Sequence, residues 1–325
     1  MTTQPDPVLV LVDHDHRGVA PSAWEILAVA RHLGPVHAVL VGAGPEGALE
    51  ELAAYGVAAA HLVEAPADVA LLAPTVARSL TGVAASADAT AVVLAASPRN
   101  AEIAALAARE LGAGLLLDAR SLGRGADGRL VAGQLAFASM WSVVAESIAE
   151  RCVVTLRPES SHVLAHDAPT EPSVHRHRLP EGDELRGLRL ISRTSSVAAE
   201  GPKLSSARVV VAGGRGTGGD FGPLRELAAA LGGAVGSTRV ATDEGWIAAD
   251  TQIGQTGATV SPALYVGAGV SGAVHHRGGM QSAGVVVAIN NDPDAPIFEI
   301  ADFGVVGDLF EVVPQLTAEV LRRRS

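Results

Sequence analysis

The chain has 325 residues, 48% hydrophobic but only 3% aromatic, with 24 basic and 35 acidic side chains and a net charge of −11. That length predicts two domains, or one unusually large one. The acidity argues against wrapping nucleic acid, and a single cysteine, Cys152, excludes any disulfide within the chain. Met1 to Pro7 lacks the basic-then-apolar order of a secretory signal, and no run of ~18 apolar residues is free of charges and turn residues. A soluble protein without membrane insertion is expected, cytoplasmic in a bacterium or in the mitochondrial matrix of a eukaryote.

Residues 8–12 form a continuous apolar run and read as a buried strand. The tract Asp13-His14-Asp15-His16 follows it, but alternating side chains on an extended loop do not easily converge on one metal ion. Residues 23–33 have helical periodicity, with Ser22 as N-cap and Gly34 as stop. Then come a strand at 36–41, a short helix at 48–55 ended by Gly56, and a strand at 59–63. A helix at 75–84, a strand at 92–95, a helix at 101–111 stopped by Gly112, and a strand at 115–117 continue the series. This rhythm predicts βαβ units on a parallel sheet.

From 129 to about 179 the rhythm breaks, and the apolar pieces at 130–131 and 153–156 read as strands added to close the first domain. Cys152, at the entry to the second piece, reads as an inert thiol. Residues 158–180 read as an extended surface segment, with His175-Arg176-His177-Arg178 solvated. The small, polar stretch 192–206 contains Gly201-Pro202 and predicts a linker. Domains are placed at 1–195 and 207–325, with 196–206 between them.

In the second domain, 209–212 is a strand, 224–231 a helix ended by Gly232-Gly233, and 263–266 a strand. Ser271 is read as the N-cap of a short helix, 285–289 and 297–300 as strands, and 309–321 as a closing helix. Leu309, Val312, Val313, Leu316 and Val320 share one face of that helix.

Several loops of this domain suit a ligand. Gly213-Gly214-Arg215-Gly216-Thr217-Gly218-Gly219 lies between strand and helix; alone, the turn fits either a phosphate cradle or a flexible connection. Gly236-Ser237-Thr238-Arg239 sets a hydroxyl beside a cation. Gln252-Ile253-Gly254-Gln255-Thr256-Gly257 is dense in uncharged donors and acceptors with little bulk, as the edge of a flat heterocycle requires. Ser271-Gly272-Ala273-Val274-His275-His276 opens a helix, where adjacent histidines point apart, against a shared metal. Asn290 ends a strand, where open α/β sheets bind ligands, and Asp308 precedes the last helix as an N-cap candidate. No nucleophile elbow, zinc-protease motif or Cys–His pair is present.

The order of these motifs, from Val209-Val210-Val211-Ala212-Gly213-Gly214-Arg215-Gly216 through Asn290-Asn291-Asp292-Pro293 to Asp302-Phe303-Gly304-Val305-Val306-Gly307-Asp308-Leu309-Phe310, closely resembles the FAD domain of electron transfer flavoprotein α subunits. The match covers about 209–316, and the first domain fits the same family more loosely. The resemblance implies an α/β fold of two domains in series, each a mostly parallel sheet flanked by helices. The first would be adenine-nucleotide-α-hydrolase-like and the second flavodoxin- or Rossmann-like. It implies FAD as cofactor and a heterodimer with a β subunit.

By the same resemblance, Arg215, Thr238 and Ser271 lie near the FAD phosphates, Arg239 near the flavin ring, Thr256 at N5 and His276 at the O2 edge. Gln255 lines the isoalloxazine and ribityl, and Asn290 and Asp308 contact the adenosine end. Gln252, Ile253, Gly254, Gly272, Ala273, Val274, His275 and Leu309 complete the expected cofactor set. Thr238 stands where the family more usually has Ser, and His275 where it often has Gln. The implied function is electron carriage, without substrate chemistry of its own, from flavin dehydrogenases such as acyl-CoA dehydrogenases to a membrane quinone oxidoreductase. The alternatives are a subunit of an electron-bifurcating, NADH-linked complex and, on the first domain alone, a nucleotide-binding module without flavin.

Overall fold

The computed structural model describes residues 6–15, 18–136, 141–157, 166, 168–179, 188, 190–192, 202–204 and 207–324. His16 and most of the expected linker 196–206 lie outside the described residues. The chain divides into two compact units, Met1–Leu135 with Ser142–Thr194, and Ala136–Trp141 with Ser195–Ser325.

The first unit runs β1 (Val8–Leu11), β2 (His14–Asp15), β3 (Gly18–Val19), α1 (Pro21–Ala30), β4 (Val36–Val41), α2 (Ala48–Ala54), β5 (Val57–Glu64), α3 (Ala73–Ser86), β6 (Ala91–Ala95) and α4 (Pro98–Leu111). Then follow β7 (Gly114–Arg124), β8 (Leu130–Ala136), β9 (Trp141–Glu146), β10 (Cys152–Leu156) and β11 (Ser173–Arg178). The 9-stranded sheet has the order β11-β5-β4-β1-β6-β10-β7-β8-β9. Every pairing from β11 to β7 is parallel, and β8 returns antiparallel to β7.

Strand alternation splits the core in two. Val8 and Val10 of β1 pack with Val36, Ala38 and Leu40 of β4 under α1 and α2. Leu9 and Leu11 pack with Val39 and Val41 under α3 and α4. Because both faces are covered, these strands are continuous apolar runs. Two stops are as the sequence implied: Gly56 and Gly112, with φ of 77 and 60, supply left-handed residues just past α2 and α4.

Two expectations need correction. Ser22 is not an N-cap: Pro21 takes the first turn of α1, Ala20 stands at the cap position, and no side chain caps the helix. Residues 153–156 are not an added closing strand; β10 lies between β6 and β7 with all its residues buried. Residues 173–178 are extended and largely exposed, as expected, and as β11 they also extend the sheet along β5. The period-2 pattern Val174-His175-Arg176-His177 was the available signal. His177 Nε2 meets His61 Nδ1 at 2.9 Å, and His61 Nε2 meets His37 Nδ1 at 3.1 Å. Three imidazoles on neighbouring strands thus form a hydrogen-bonded ladder, with His175 stacked on His61 at 4.9 Å.

The second unit runs β12 (Val209–Gly213), α5 (Gly222–Leu231), β13 (Ala234–Ser237), α6 (Arg239–Asp243), β14 (Leu264–Ala268), α7 (Val274–Met280), β15 (Val285–Asn290), β16 (Phe303–Val306) and α8 (Leu309–Arg324). Its sheet order is β13-β12-β14-β15-β16, and all pairings are parallel. Leu224 and Leu227 of α5 and Leu309 and Val313 of α8 pack on Val211, Val266 and Ile289. Ala212, Ile253, Tyr265 and Met280 build a further cluster. Two corrections apply here. Residues 296–300 form a 3-10 turn, not a strand, and the edge strand is β16 instead; Pro296 at the start favours the turn. Ser271 is not the N-cap of α7, a position taken by Ala273. No helix among the described residues is long and apolar enough to cross a membrane.

Candidate functional site

All five strands of the second sheet run the same way, so the loops leaving their C-terminal ends gather along one edge. These loops carry most of the residues singled out in the sequence. The turn after β12 lies directly on the turn after β14: Gly216 N–H donates to Gly269 O at 3.0 Å, and Gly214 N–H to Ala268 O at 3.3 Å. A Cβ on Gly216 would stand 2.7 Å from Gly269 Cα, so the approach needs glycine on both sides. Arg215 projects from this turn and is exposed.

Thr238 follows β13 and stands at the N-cap of α6 without using its hydroxyl to cap. Among the described residues, the Arg215 guanidinium and the hydroxyls of Thr238 and Ser271 make no hydrogen bond or ion pair within the protein. One cation and two free hydroxyls at strand C-termini are a donor set suited to an anion such as a pyrophosphate. The residues present therefore fit the phosphate end of a dinucleotide cofactor.

The loop from 251 to 257 is cross-braced. Ser237 and Thr251 share a hydrogen bond of 2.9 Å. Thr242 donates its hydroxyl to Gln252 Oε1 at 2.9 Å, and Gln252 Nε2 donates to the Thr256 hydroxyl at 3.0 Å. Gln252 is thus consumed as a bridge. Thr256 accepts there and keeps its own proton to donate outward, and it is exposed along with Gln255. Gly254 is buried between this loop and α7, where Gln255 N–H donates to His275 O at 3.0 Å. Arg239 opens α6 and pairs with Asp243 at 3.2 Å, with 69% of its side chain exposed.

His276 is 6% exposed, and both its ring nitrogens are engaged. Nδ1 lies 3.1 Å from the Ile253 carbonyl oxygen and Nε2 lies 2.7 Å from the Tyr265 hydroxyl. A carbonyl only accepts, so Nδ1 carries the proton and Nε2 accepts from Tyr265. Burial lowers the His276 pKa to about 4, against the opposing pull of the Ile253 carbonyl, so the ring is neutral at neutral pH. In this arrangement it offers no free N–H. His275, on the next position of α7, is exposed, as are Ser271, Ala273 and Val274; Gly272 is buried.

Asn290 is also bound inward: Nδ2 donates to Val270 O at 2.9 Å and Oδ1 accepts from Asp292 N at 3.0 Å, which ties the turn after β14 to the turn after β15. Asp308 Oδ1 accepts from Phe310 N at 2.8 Å and so caps α8. The side chains of Leu309 and Ile253 belong to the core.

This combination of nested glycine turns, a free cation with two free hydroxyls, and a braced polar loop coincides with matches to known proteins. A family profile described as an electron transfer flavoprotein domain matches residues 8–181, and one described as the electron transfer flavoprotein FAD-binding domain matches 203–281. The electron transfer flavoprotein subunit alpha of Mycobacterium leprae is 39% identical over 98% of this chain and 99% of its own length. That of Bacillus subtilis is 34% identical over 91% of each. Protein FixB of Rhizobium meliloti is 34% identical over 98% of this chain and 93% of its own length.

The chain belongs to the electron transfer flavoprotein α-subunit family. Its second unit carries that family's FAD-binding domain, and electron carriage is the family's activity. Sequence reasoning missed Tyr265, a hydroxyl inside the apolar run of β14, and Thr242, and it gave Ser237 of the 236–239 motif no bracing role, although Thr242 and Ser237 both brace the loop. It also missed β13 and α6, because Ala234-Val235-Gly236-Ser237 is too short and glycine-broken to stand out as a strand.

In the first unit, Asp13 accepts from Asn100 Nδ2 at 2.6 Å and lies 3.5 Å from Arg99. Burial raises its pKa, with Asn100 and Arg99 opposing. Among the described residues, no group of three or more His, Cys, Asp or Glu side chains is arranged to hold a metal ion.

Proposed function

We propose that this chain is the FAD-carrying subunit of a heterodimer with a β subunit, accepting electrons from flavin dehydrogenases such as acyl-CoA dehydrogenases and passing them to a membrane quinone oxidoreductase. The observation that carries the reading is the donor set at the strand C-termini, Arg215, Thr238 and Ser271, in a chain whose second unit matches an FAD-binding domain. These three side chains would hold the phosphates, with the braced loop Gln252 to Thr256 and the segment Gly272 to His275 beside them. Arg239 and Thr256 would stand at the flavin ring, and Asn290, Asp308 and Leu309 at the adenosine end.

When bound, FAD supplies reversible one- and two-electron redox chemistry. The protein's part is to bind, orient and tune. A cation at Arg239 favours negative charge on the ring system, and Thr256, with its proton free to donate, suits a hydrogen bond at N5. A soluble carrier in the cytoplasm or mitochondrial matrix, without substrate chemistry of its own, is the role these residues support. The FAD domain is placed at 207–325, the first domain at 1–195, and a linker at 196–206.

The test is co-expression with the β subunit, purification of the pair, and a visible spectrum during stepwise reduction. One FAD per heterodimer that reduces reversibly supports the carrier. A colourless pair overturns the flavin reading, and two FADs with NADH oxidation would move the chain to the bifurcating, NADH-linked class. Arg239→Ala is expected to lower the flavin potential. The effect is only about 0.5–1 kcal/mol, because the side chain is largely exposed and shared with Asp243. A potentiometric titration that finds no change would remove Arg239 from the ring side.

A further inference from the structure

Side chains alternate along a strand, so the two faces of β11 carry different chemistry. His175 and His177 join the imidazole ladder on one face, and Arg176 and Arg178 stand on the other. Both arginines line an open cleft of ≈ 1070 Å³ at the C-terminal ends of β4, β5 and β11, the end of a parallel sheet where ligands sit. Leu40 and Leu62 line it with apolar surface. The turn after β4 also lines it, with Gly42 and Gly47 at φ of 91 and 77 and with Ala43 and Gly44 exposed. At Gly47 a side chain would meet nothing within 4 Å, so the backbone there is open to a ligand.

Among the described residues, the N–H groups of Ala43, Gly44 and Gly47 and the guanidiniums of Arg176 and Arg178 make no hydrogen bond or ion pair within the protein. Three backbone donors and two guanidiniums thus border one cleft uncommitted. Alternate residues of a strand lie about 7 Å apart, near enough for both arginines to reach one anion. So many donors exceed what the two oxygens of a carboxylate can use and suit the three of a phosphate. Glu50 and Glu64 line the cleft too and are likewise unpaired, so two cations and two carboxylates leave it without net charge. Such a cleft favours a ligand with one anionic head and an uncharged body over one with several charges. Glu64 stands across from Arg178 in the register of β5 and β11 and competes for it, which makes Arg176 the stronger anchor.

We propose that this cleft is a ligand site of the first unit for a small phosphate monoester. Arg176, Arg178 and the amides of Ala43, Gly44 and Gly47 hold the phosphate, and Leu40 and Leu62 carry an apolar body. The ladder on the opposite face of β11 ties the strand to β5 and so fixes where the arginines stand. All these residues belong to the first unit, so the inference does not rest on the flavin reading.

The experiment uses the full ¹⁵N-labelled chain paired with unlabelled β subunit, with excess FAD present to keep phosphate out of the second unit. Phenyl phosphate is expected to shift the amide signals of Ala43, Gly44 and Gly47 saturably. Inorganic phosphate, which has no body to lay on Leu40 and Leu62, is expected to bind at least ~3-fold more weakly. Arg176→Ala should raise the phenyl phosphate dissociation constant ~10-fold and Arg178→Ala ~3-fold. Glu64→Gln removes a competing charge and should lower it ~2–3-fold. That opposite sign separates ligand binding from a general loosening of the strand.

Amides of the 43–47 turn that stay unmoved at ~10 mM phenyl phosphate overturn the proposal. Shifts that persist with unchanged affinity in Arg176→Ala/Arg178→Ala also overturn it, because the anion is then held elsewhere. Equal affinity for inorganic and phenyl phosphate overturns the monoester class, since the apolar surface would then carry nothing.

Discussion

Both units lead parallel strands into glycine-rich turns at their C-terminal ends, Gly42 to Gly47 after β4 and Gly213 to Gly219 after β12, and the two turns do different work. The first borders an open cleft of ≈ 1070 Å³ whose floor includes Leu40 and Leu62. At Gly47 a Cβ would meet nothing within 4 Å. The second turn is locked against the turn after β14, where backbone meets backbone at Gly216 and Gly269. The polar groups differ in the same way. In the first unit the clearest polar contacts run inward, as in the ladder His37–His61–His177 and the Asp13–Asn100 pair, although His14 Nε2 and Asn100 Oδ1 are buried without a partner among the described residues. In the second, rigid backbone leaves Arg215, Thr238 and Ser271 uncommitted at the rim. Glycine content alone does not set what a turn can do; the backbone packed against it does.

The largest expected effect breaks that contrast at its backbone. Gly269 has φ of +63, and an added Cβ would lie 2.8 Å from both Gly216 Cα and Leu309 Cδ2. Gly269→Ala combines left-handed strain with overpacking and is expected to cost about 2–4 kcal/mol. Gly47→Ala, at φ +77 but in open space, should cost only about 1 kcal/mol. Urea unfolding of both variants measures the difference. Equal costs would mean that the β12 turn yields as readily as the β4 turn.

A second effect compares the buried histidines of the two units. His61 is lowered to about 4, chiefly by burial and then by His37, His177 and His175 beside it; burial lowers His276 to about 4 as well. Unfolded histidine titrates near 6.5, so between pH 6.5 and 4 the unfolded chain binds more protons than the folded one. The stabilisation from each neutral ring is therefore complete above pH 6.5 and is lost as pH falls toward 4. It amounts to at most about 3 kcal/mol per ring. Unfolding midpoints across this range should decline, and His61→Gln and His276→Gln should each flatten part of the slope. A wild-type curve flat from pH 7 to 4.5 would show that neither ring is held neutral.

Much of the fold was legible because its signals are local. Continuous apolar runs marked β1, β4, β6 and β12, and glycine stops marked the ends of α2, α4 and α5. The place of β10 was not legible: a strand that returns to the middle of a sheet looks, in sequence, like one added at its edge. The strand character of β11 was written in Val174-His175-Arg176-His177 but concealed by its polarity, since its histidines find partners only when β5 and β4 lie beside them. In the second unit, residue order pointed to loops that the parallel sheet gathers along one edge, because each loop is a contiguous segment. What each side chain does depends on contacts across strands. Tyr265 was invisible as one hydroxyl in an apolar strand, and the inward bonds of Asn290 and His276 could not be read from spacing.

The smallest effect separates capping from binding. Ser97 accepts from Asn100 N at 3.0 Å at the start of α4, and Asp308 accepts from Phe310 N at 2.8 Å at the start of α8, so each satisfies one otherwise orphaned helix donor. Removing either acceptor should cost about 1 kcal/mol. Ser97 lies outside the segment that matches the FAD-binding domain, so Ser97→Ala should change stability and leave FAD affinity untouched. Asp308 sits at the edge where the strand C-termini gather, so Asp308→Ala should lose the same stability and also weaken FAD binding. Isothermal titration of FAD into the apo-heterodimer decides between them. If Asp308→Ala binds FAD as tightly as Ser97→Ala does, Asp308 is a helix cap and nothing more, and the adenosine end of the site must be built from other groups.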